Sequence, residues 1–270
     1  MKIVAFIPAR LESKRFPNKV IKLIYNIPMI EHVRRRAIIS GAFHKVYVVT
    51  NSKVIQKKLK KYNAKTILTK NKHFNGTSRV SEISKNYNFD YAFILFGDEP
   101  FINPNKILKC LKEIKKNKKD NVFNVVTNLK LGDLKSPEIV KSIQNSKGYI
   151  TDYYRISKNN NALNKLKKSS GILIFKKKII DKYKLLEIKK KEREENIEQF
   201  RLLENKILVK SIYIKDIYPS VNTKKELLNL LALVSKDKKE INIFNKINKI
   251  NKINKINKIN KINKINKIEN

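Results

Sequence analysis

The sequence predicts an α/β protein with a largely parallel sheet, and three observations support this. Lys2–Ile7 is a short, mainly apolar run that ends at Pro8, and Lys45–Thr50 is rich in β-branched and aromatic residues. Between them, Pro28–Ile39 has apolar residues at helical spacing, which makes a strand, loop, helix and strand unit. Tyr91–Phe96 is apolar throughout, as expected for a parallel strand that helices cover on both faces.

The remaining elements follow from the same two periodicities. Pro104–Ile114 has helical spacing and contains Cys110, the single cysteine, which we expect in the core. Further strands are predicted at Val122–Leu129, Ile139–Ile143, Gly171–Phe175 and Ile207–Ile214, and a charged amphipathic helix at Glu192–Leu203.

Length and composition favour one compact enzyme-sized domain. The chain has 270 residues and is 41% hydrophobic, enough for one large domain with or without a small appendage. A single cysteine excludes a disulfide framework and a cysteine-based metal site. The apolar run before Pro8 is too short for a signal peptide or a membrane span, so we expect a cytoplasmic location and no membrane partner.

A formal net charge of +39 would ordinarily suggest a nucleic-acid partner. Here the lysines accompany an excess of Asn and Ile over the whole chain, and all three residues have AT-rich codons. Genomic base bias therefore explains the composition, and we predict a basic surface that attracts an anionic substrate without binding nucleic acid. The alternative, a nucleic-acid-binding protein, predicts affinity that falls steeply with salt.

Residues 245–270 repeat Asn-Lys-Ile almost without interruption. A three-residue step drifts by about 60° per repeat around an α-helix, so the isoleucines cannot form one apolar stripe. We expect a low-complexity tail that is disordered or marginally helical and has no catalytic role, which leaves residues 1–244 as the folded domain. An anionic-surface tether is the alternative.

The loop after the first strand is a candidate anion site. It holds four cations within ten positions: Arg10, Lys14, Arg15 and Lys19. Fixed cations and backbone N–H groups at a strand end can neutralise a nucleoside triphosphate and its leaving pyrophosphate. A basic surface loop in a basic protein is the alternative interpretation.

The turn after Tyr91–Phe96 is a candidate metal site. Asp98 and Glu99 follow the strand directly. Mg²⁺ takes one or two carboxylates and completes its shell with phosphate oxygens and water. Because ligands bind at the carboxyl ends of strands in open α/β sheets, we expect this turn and the loop after Pro8 to face one crevice. The alternative is an Asp that caps a turn before Pro100.

Four collinear motifs carry a family resemblance. They are IPARLESKRFPNK at 7–19, PMIEHV at 28–33, HFNGTSRV at 73–80 and GDEPFI at 97–102. With these motifs, the part of the chain from residue 2 to about 231 resembles the 3-deoxy-manno-octulosonate (Kdo) cytidylyltransferases. The resemblance implies a mostly parallel, Rossmann-like nucleotide-binding sheet with helices on both faces. It also implies a smaller lid and dimerisation section at about 130–210, and a homodimer.

The resemblance further implies transfer of CMP from CTP to Kdo or a close acidic keto-sugar, with release of pyrophosphate and with Mg²⁺ as cofactor, for lipopolysaccharide or surface glycan synthesis. It makes Lys19, Asp98 and Arg15 the catalytic residues and assigns the metal to Asp98 and Asn222. The implied CTP-binding residues are Pro8, Ala9, Arg10, Gly76, Thr77 and Arg79. The implied sugar-binding residues are Lys141, Arg155, Glu198 and Gln199. His73 also matches the pattern but is as easily structural.

Three positions depart from the family pattern. Phe96 replaces a Gln, Asn222 replaces an Asp that would be a second metal carboxylate, and Ser169–Leu173 replaces a His-Leu-Gly-Ile-Tyr segment. The changes fall on the sugar side and on the metal ligands, whereas the nucleotide loop is nearly intact. The alternatives are therefore a cytidylyltransferase for another nonulosonate or a spore-coat-type sugar, and a noncatalytic nucleotide-binding relative.

Overall fold

A computed structural model describes residues 1–13, 15–70, 72–156 and 166–250. The strands in chain order are β1 Ile3–Ala9, β2 Leu23–Ile24, β3 Ile27–Pro28, β4 Lys45–Thr50, β5 Thr66–Leu68, β6 Tyr91–Leu95, β7 Val122–Thr127, β8 Lys141–Gln144, β9 Tyr149–Tyr154, β10 Leu166–Lys176 and β11 Val209–Tyr213. The helices are α1 Met29–Ile39, α2 Lys53–Lys60, α3 Gly76–Ser84, α4 Pro104–Lys116, α5 Lys177–Tyr183, α6 Lys190–Glu195, α7 Phe200–Glu204 and α8 Lys224–Val234. Residues 238–250 are also helical and are called the C-terminal helix below.

Nine strands form one sheet in the order β5-β4-β1-β6-β10-β7-β11-β9-β8, while β2 and β3 form a separate hairpin. β10 runs antiparallel to β6 and β7, and β9 runs antiparallel to β11 and β8; the other seven of the nine strands point the same way. The prediction of a mostly parallel sheet is confirmed. The start of β10 pairs in addition with β8, which ties the far edge of the sheet back to its centre.

Helices cover both faces of the sheet, as predicted. Apolar residues of α1, α2 and α4 share one core with the inward side chains of β1, β4 and β6, and Cys110 lies fully buried there. Residues of α3 and α5 form a second core on the opposite face. Among the described residues, every helix is too short or too polar to cross a membrane.

A third, smaller core lies beside the nucleotide loop. Its members are Phe16, Ile24, Met29, Phe101, Val221, Leu227, Leu230 and Val234, and we call it the third cluster. It joins the loop after β1, the turn after β6 and the start of α8, which are far apart in the sequence. These are the segments that carry the candidate triphosphate and metal residues.

The predicted helix at Glu192–Leu203 is wrong in one respect, because two short helices, α6 and α7, take its place. Asn196 ends α6 in the left-handed region, with φ of 52°. Asn tolerates this conformation and is a common helix terminator. The intervening turn places Glu198 and Gln199 between the two helices, where the first is half-buried and the second buried.

The tail prediction also needs correction at its start. Residues 245–250 belong to the C-terminal helix, and Ile247 is fully buried. The repeat cannot present a continuous apolar stripe, but one isoleucine in the first turns is enough to dock this short segment. Residues 251–270 lie outside the described part of the chain.

Candidate active site

A cleft of about 690 Å³ opens at the carboxyl ends of β1 and β6. Predicted site residues that line it are Pro8, Ala9, Arg10, Arg15, Lys19, Gly76, Arg79, Asp98, Arg155, Glu198, Gln199 and Asn222. Thr77 and Lys141, two further predicted contacts, are fully buried and do not line the cleft. The anion loop and the Asp98 turn therefore face the same crevice.

The loop after β1 turns back on itself and presents Lys19. Asn18 takes a left-handed conformation, with φ of 58°, and its N–H donates to the Leu11 carbonyl at 3.3 Å. A single 3-10 turn, Lys19–Ile21, follows directly. Phe16 and Val20 are buried on either side of Lys19, so the backbone of the loop is fixed by packing on both sides of the cation.

Lys19, Asp98 and Asn222 meet at one point. The Lys19 Nζ donates to Asp98 Oδ2 at 2.6 Å, to the Val221 carbonyl at 3.0 Å and to Asn222 Oδ1 at 3.2 Å. The Val221 N–H in turn donates to the Asp98 carbonyl at 2.8 Å. The oxygens of Asp98, Val221 and Asn222 thus form one cation-binding set, and the Lys19 ammonium is bound by it.

The other cations of the loop are less restrained. Arg10 is exposed at the mouth of the cleft. Arg15 forms an ion pair with Glu138, which precedes β8 on the opposite wall. This pair bridges the cleft between the nucleotide loop and the section at about 130–210. The predicted role of Lys14 concerns a residue outside the described part of the chain.

Glu198, in the turn between α6 and α7, hydrogen-bonds the start of α3. Its carboxylate accepts from the Thr77 N–H at 3.2 Å and from Thr77 Oγ1 at 3.0 Å. Thr77 therefore faces Glu198. Burial raises the pKa of Glu198 to about 7, although the two bonds from Thr77 oppose the rise.

A buried network holds this junction in place. Arg201 binds Glu192 through two nitrogens, at 2.8 and 2.6 Å, and donates to Ser78 Oγ at 2.9 Å. Asn75 caps α3 by accepting from the Ser78 N–H, and its own amide donates to Glu192 at 3.1 Å. The helix start that borders the cleft is consequently fixed from two directions.

Arg79 and His73 are anchored by protein groups. Arg79 is buried and donates to Asn51 Oδ1 at 3.0 Å and Thr69 Oγ1 at 2.9 Å, and burial lowers its pKa. The His73 ring binds Glu82 at 2.7 Å, and burial also lowers the pKa of His73. Both line the cleft, so Arg79 can still present part of its guanidinium to a ligand, whereas His73 has a structural partner.

Lys141 and Arg155 tie the sugar-side loops to each other. The Lys141 ammonium donates to the carbonyls of Ser136 and Arg155. Arg155 donates to the carbonyls of Pro137, Glu195 and Asn196 at 2.9, 2.7 and 2.8 Å. In this structure both cations shape the cleft wall, and only Arg155 borders the cleft itself.

Glu99 is engaged by β10. The sequence pairs Asp98 and Glu99 as candidate metal ligands, but Glu99 Oε1 accepts from the Gly171 N–H on β10 at 2.7 Å. Its Oε2 is buried and has no hydrogen-bond partner among the residues that the structure describes. Burial, then the neighbouring Asp98 charge, raises the pKa of Glu99 to about 7. Sequence reasoning had no signal for the Gly171 contact or for the pairing of Glu138 with Arg15.

Asp98 and Asn222 suit a hard divalent cation. Among the described residues no group of three or more His, Cys, Asp or Glu side chains gathers at one point. The oxygens of Asp98, Asn222 and Val221 nevertheless converge on one positive charge, that of Lys19. Mg²⁺ needs few protein oxygens when phosphates supply the others, so this donor set fits it once Lys19 moves aside.

Comparisons with known proteins agree on one family. Residues 4–217 match the family model described as cytidylyltransferase. The 3-deoxy-manno-octulosonate cytidylyltransferase of Elusimicrobium minutum (strain Pei191) is 31% identical over 232 residues, which span 83% of this chain and 94% of that protein. The protein of the same name from Escherichia coli is 28% identical, over 88% of this chain and 98% of its own length.

Two solved structures extend this result. CMP:2-keto-3-deoxy-manno-octonic acid synthetase complexed with CTP superposes with a TM-score of 0.81 at 27% identity, covering 88% of this chain and 100% of that one. The 4-diphosphocytidyl-2C-methyl-D-erythritol synthase of Anaerococcus prevotii DSM 20548 has a TM-score of 0.59 at 14% identity, covering 87% of this chain and 99% of its own. The second likeness concerns the fold alone.

Proposed function

Because the chain belongs to the 3-deoxy-manno-octulosonate cytidylyltransferase family, we propose that it transfers CMP from CTP to Kdo or a close acidic keto-sugar and releases pyrophosphate. The observation that carries this proposal is the convergence of Lys19, Asp98 and Asn222 in a cleft at the carboxyl edge of the sheet. The solved relative that superposes with a TM-score of 0.81 was complexed with CTP.

In the proposed reaction the anomeric hydroxyl of the sugar acid attacks the α-phosphorus of CTP. A new O–P bond forms as the bond to the leaving pyrophosphate breaks, and the hydroxyl proton is released to solvent. The protein's part is to position the two substrates and to neutralise charge that develops on the phosphates. Arg10, Arg15 and Lys19 supply that positive charge from one loop, and CTP competes with Glu138 for Arg15.

Asp98 and Asn222 would hold Mg²⁺, which when bound offsets negative charge on the phosphates. The Lys19 ammonium must first leave Asp98. It then becomes available to the β- and γ-phosphates, so one displacement prepares both the metal site and the triphosphate site.

The two substrates divide the cleft between its walls. Pro8, Ala9, Gly76 and Arg79 border the proposed nucleotide side. Glu198, Gln199 and Arg155 border the proposed sugar side. Lys141 supports this side indirectly, by holding the carbonyls of Ser136 and Arg155, and Thr77 acts by fixing Glu198.

We also propose that the protein works in the cytoplasm, in lipopolysaccharide or surface glycan synthesis, as a homodimer formed through the section at about 130–210. Gel filtration with light scattering would test this assembly.

A second candidate is transfer to a different nonulosonate. Phe96 favours it, because its ring lines the cleft between Gly76 and Gly171 where the family pattern has a polar side chain. An apolar group at this point cannot hydrogen-bond a sugar hydroxyl, so it changes which acceptors are bound well.

Product analysis tests the proposed chemistry. The purified chain is incubated with Kdo, Mg²⁺ and one of CTP, UTP, ATP or GTP, and products are identified by ³¹P NMR and mass spectrometry. We expect pyrophosphate and a CMP-sugar with CTP, and far less product with the other nucleotides. CTP that binds without any product would support the noncatalytic alternative.

A further inference from the structure

The C-terminal helix lies beyond residues 4–217, which match the family model, yet it is docked on the enzyme core. Ile247 is fully buried and Glu240 is 3% exposed. The Phe244 ring stacks on the His32 ring of α1 with centroids 6.2 Å apart, and lies 4.9 Å from the Tyr25 ring. The helix is therefore packed on α1 through Phe244 and Glu240.

The charged contact is a buried ion pair. Glu240 Oε2 lies 2.7 Å from Arg36 Nη2, and the Arg36 side chain has no exposed surface. Burial lowers the pKa of Arg36, and the Glu240 carboxylate opposes this. Removing one partner of such a pair leaves an uncompensated buried charge, which is strongly unfavourable. Glu240 thus supplies the negative charge that faces the buried Arg36 guanidinium.

Arg36 connects the C-terminal helix to the Asp98 turn, because it contacts both Glu240 and Phe101. Its guanidinium lies over the Phe101 ring, 5.1 Å from the centroid. Phe101 belongs to the third cluster, three residues after Asp98, and packs there with Phe16 and Val221. Phe16 lies three residues before Lys19 and Val221 directly before Asn222, so the third cluster packs beside the segments that carry Lys19, Asp98 and Asn222.

Two further contacts join the C-terminal helix to the same region. His32, on which Phe244 stacks, hydrogen-bonds the Ile24 carbonyl at 2.9 Å, and Ile24 is a member of the third cluster. The Tyr218 hydroxyl donates to Asp237, just before the helix, at 2.5 Å. Tyr218 lines the cleft and contacts Phe101 edge to face at 6.3 Å.

We infer that the C-terminal helix is a positioning element for the nucleotide site, and that Glu240 is a positioning residue that acts on Lys19, Asp98 and Asn222 through Arg36 and Phe101. The inference rests on the proposed function. It assigns a role to the first turns of the Asn-Lys-Ile repeat, which otherwise read as a tail without function.

The test compares Glu240→Gln with wild type and with Lys239→Gln, an exposed change on the same helix. CTP binding is measured by calorimetry, and KM for CTP, kcat and the melting temperature are measured in parallel. We expect Glu240→Gln to raise Kd and KM for CTP by about tenfold with kcat within about twofold, and Lys239→Gln to change neither. An unchanged Kd, or a lower kcat with unchanged KM and a lower melting temperature, would overturn the inference.

A second pair of variants covers the case in which Glu240→Gln does not fold. Arg36→Met with Glu240→Leu replaces the ion pair by apolar residues of similar size, which is often tolerated in a core. We expect this double variant to bind CTP within about threefold of wild type. Phe244→Ala removes the ring contact and leaves the ion pair, and we expect weaker CTP binding; wild-type affinity in Phe244→Ala would contradict the inference.

CTP binding, measured by calorimetry, tests this inference separately from the proposed function. If wild type binds CTP but forms no CMP-sugar, the proposed transfer fails, and the affinities of the variants still decide the role of the helix. If wild type binds no CTP, both are wrong.

Discussion

The Lys19 ammonium is held by oxygens from two other segments of the chain, and its charge pairs with the Asp98 carboxylate. An unpaired carboxylate in a partly buried cleft would be costly, so this ion pair stabilises Asp98. In the proposed reaction this ion pair would be replaced by a contact of Lys19 with phosphate and of Asp98 with Mg²⁺.

Asp98→Asn should abolish turnover and leave the fold intact. The isosteric amide keeps the volume but removes the negative charge that Mg²⁺ requires, so we expect a loss of at least about a hundredfold in kcat. Asp152→Asn, at a half-buried acid outside the cleft, is the matched control. Pyrophosphate release and thermal unfolding report on both variants, and normal turnover in Asp98→Asn would exclude its metal role.

Asn222→Asp should tighten the divalent metal site. A second carboxylate adds a charged oxygen ligand in place of a neutral one, so we expect half-saturating Mg²⁺ to fall by about threefold or more. Binding of Mn²⁺, followed by electron paramagnetic resonance, gives a readout that does not depend on turnover. Identical Mn²⁺ affinity in both proteins would mean that this position does not reach the ion.

Glu198 should make stability depend on pH. Burial raises its pKa from an ordinary value of 4.5 to about 7, so the folded chain holds a proton that the unfolded chain releases between these values. Stability therefore falls as pH rises from 4.5 to about 7, and this group contributes no further slope above that. Glu192 raises and Arg201 lowers the pKa of Glu198, but burial dominates.

Glu198→Gln keeps an acceptor for Thr77 and removes the ionisation. Urea unfolding at several pH values between 4.5 and 7 should show a smaller loss of stability in the variant than in wild type. Glu99, with a similar pKa, remains in both proteins and cancels in the comparison. Parallel pH profiles for the two proteins would contradict this assignment.

At the scale of single residues, sequence reasoning found the side chains that face the cleft more readily than those that support it. Lys19 and Asp98 could be predicted from the sequence, because cations and acids at strand ends indicate a ligand site. The burial of Lys141 and Thr77 was not predicted, since the family pattern alone does not reveal that their polar groups bind Arg155 and Glu198. Buried pairing of this kind depends on distant segments.

Among the elements, β10 is the strand that joins the two halves of the cleft. It pairs with β6 in its second half, with β8 at its start, and with β7 in both halves. A β-bulge lies between Ser169 and Leu173, at the point where Gly171 meets the Glu99 carboxylate. This close approach requires a residue without a side chain.

Gly171→Ala should destabilise the protein and disturb the Asp98 turn. A Cβ at this position would lie 2.7 Å from Glu99 Oε1 and 2.9 Å from Phe96 Cδ2. Overpacking of this kind costs about 1–3 kcal/mol in free energy of unfolding. Gly132→Ala, where a Cβ meets nothing within 4 Å, is the control, and equal stability of the two variants in urea would contradict the prediction.

Periodicity predicted the elements that are long or wholly apolar. Lys45–Thr50 was predicted with its observed bounds, and α1 and α4 agree with their predicted helices within two residues at each end. The break at Asn196 was missed because apolar spacing continues through it. Short elements such as α2 and β5 have too few apolar residues to give a pattern.

For the molecule as a whole, the domain is longer than the family match because the C-terminal helix is part of its core. A chain that ends after residue 250 should keep wild-type turnover and CTP affinity, because the buried contacts of Glu240, Phe244 and Ile247 remain. Calorimetry and pyrophosphate release measure both quantities. A large loss of CTP affinity in this truncated chain would show that residues 251–270 also act in binding.

The distribution of charge over the whole chain explains why composition was a poor guide to function. The charge of +39 comes from lysines spread over the chain, whereas the reaction depends on a few cations in one loop. Collinear motifs recovered the family, since they report spacing around the site. The acceptor sugar could not be predicted in the same way, because residues that depart from the family pattern, Phe96, Ser169 and Ser170, line the cleft in which it is proposed to bind.

The most direct measurement is release of pyrophosphate by the purified full-length chain with CTP and Mg²⁺ over a panel of acceptors: Kdo, 8-amino-Kdo and sialate-like acids. We predict acceptor-dependent release with Kdo or one of its close relatives, and none when the acceptor is omitted. Silence across the whole panel, with CTP still bound, would contradict the proposed transfer and leave a noncatalytic nucleotide-binding protein.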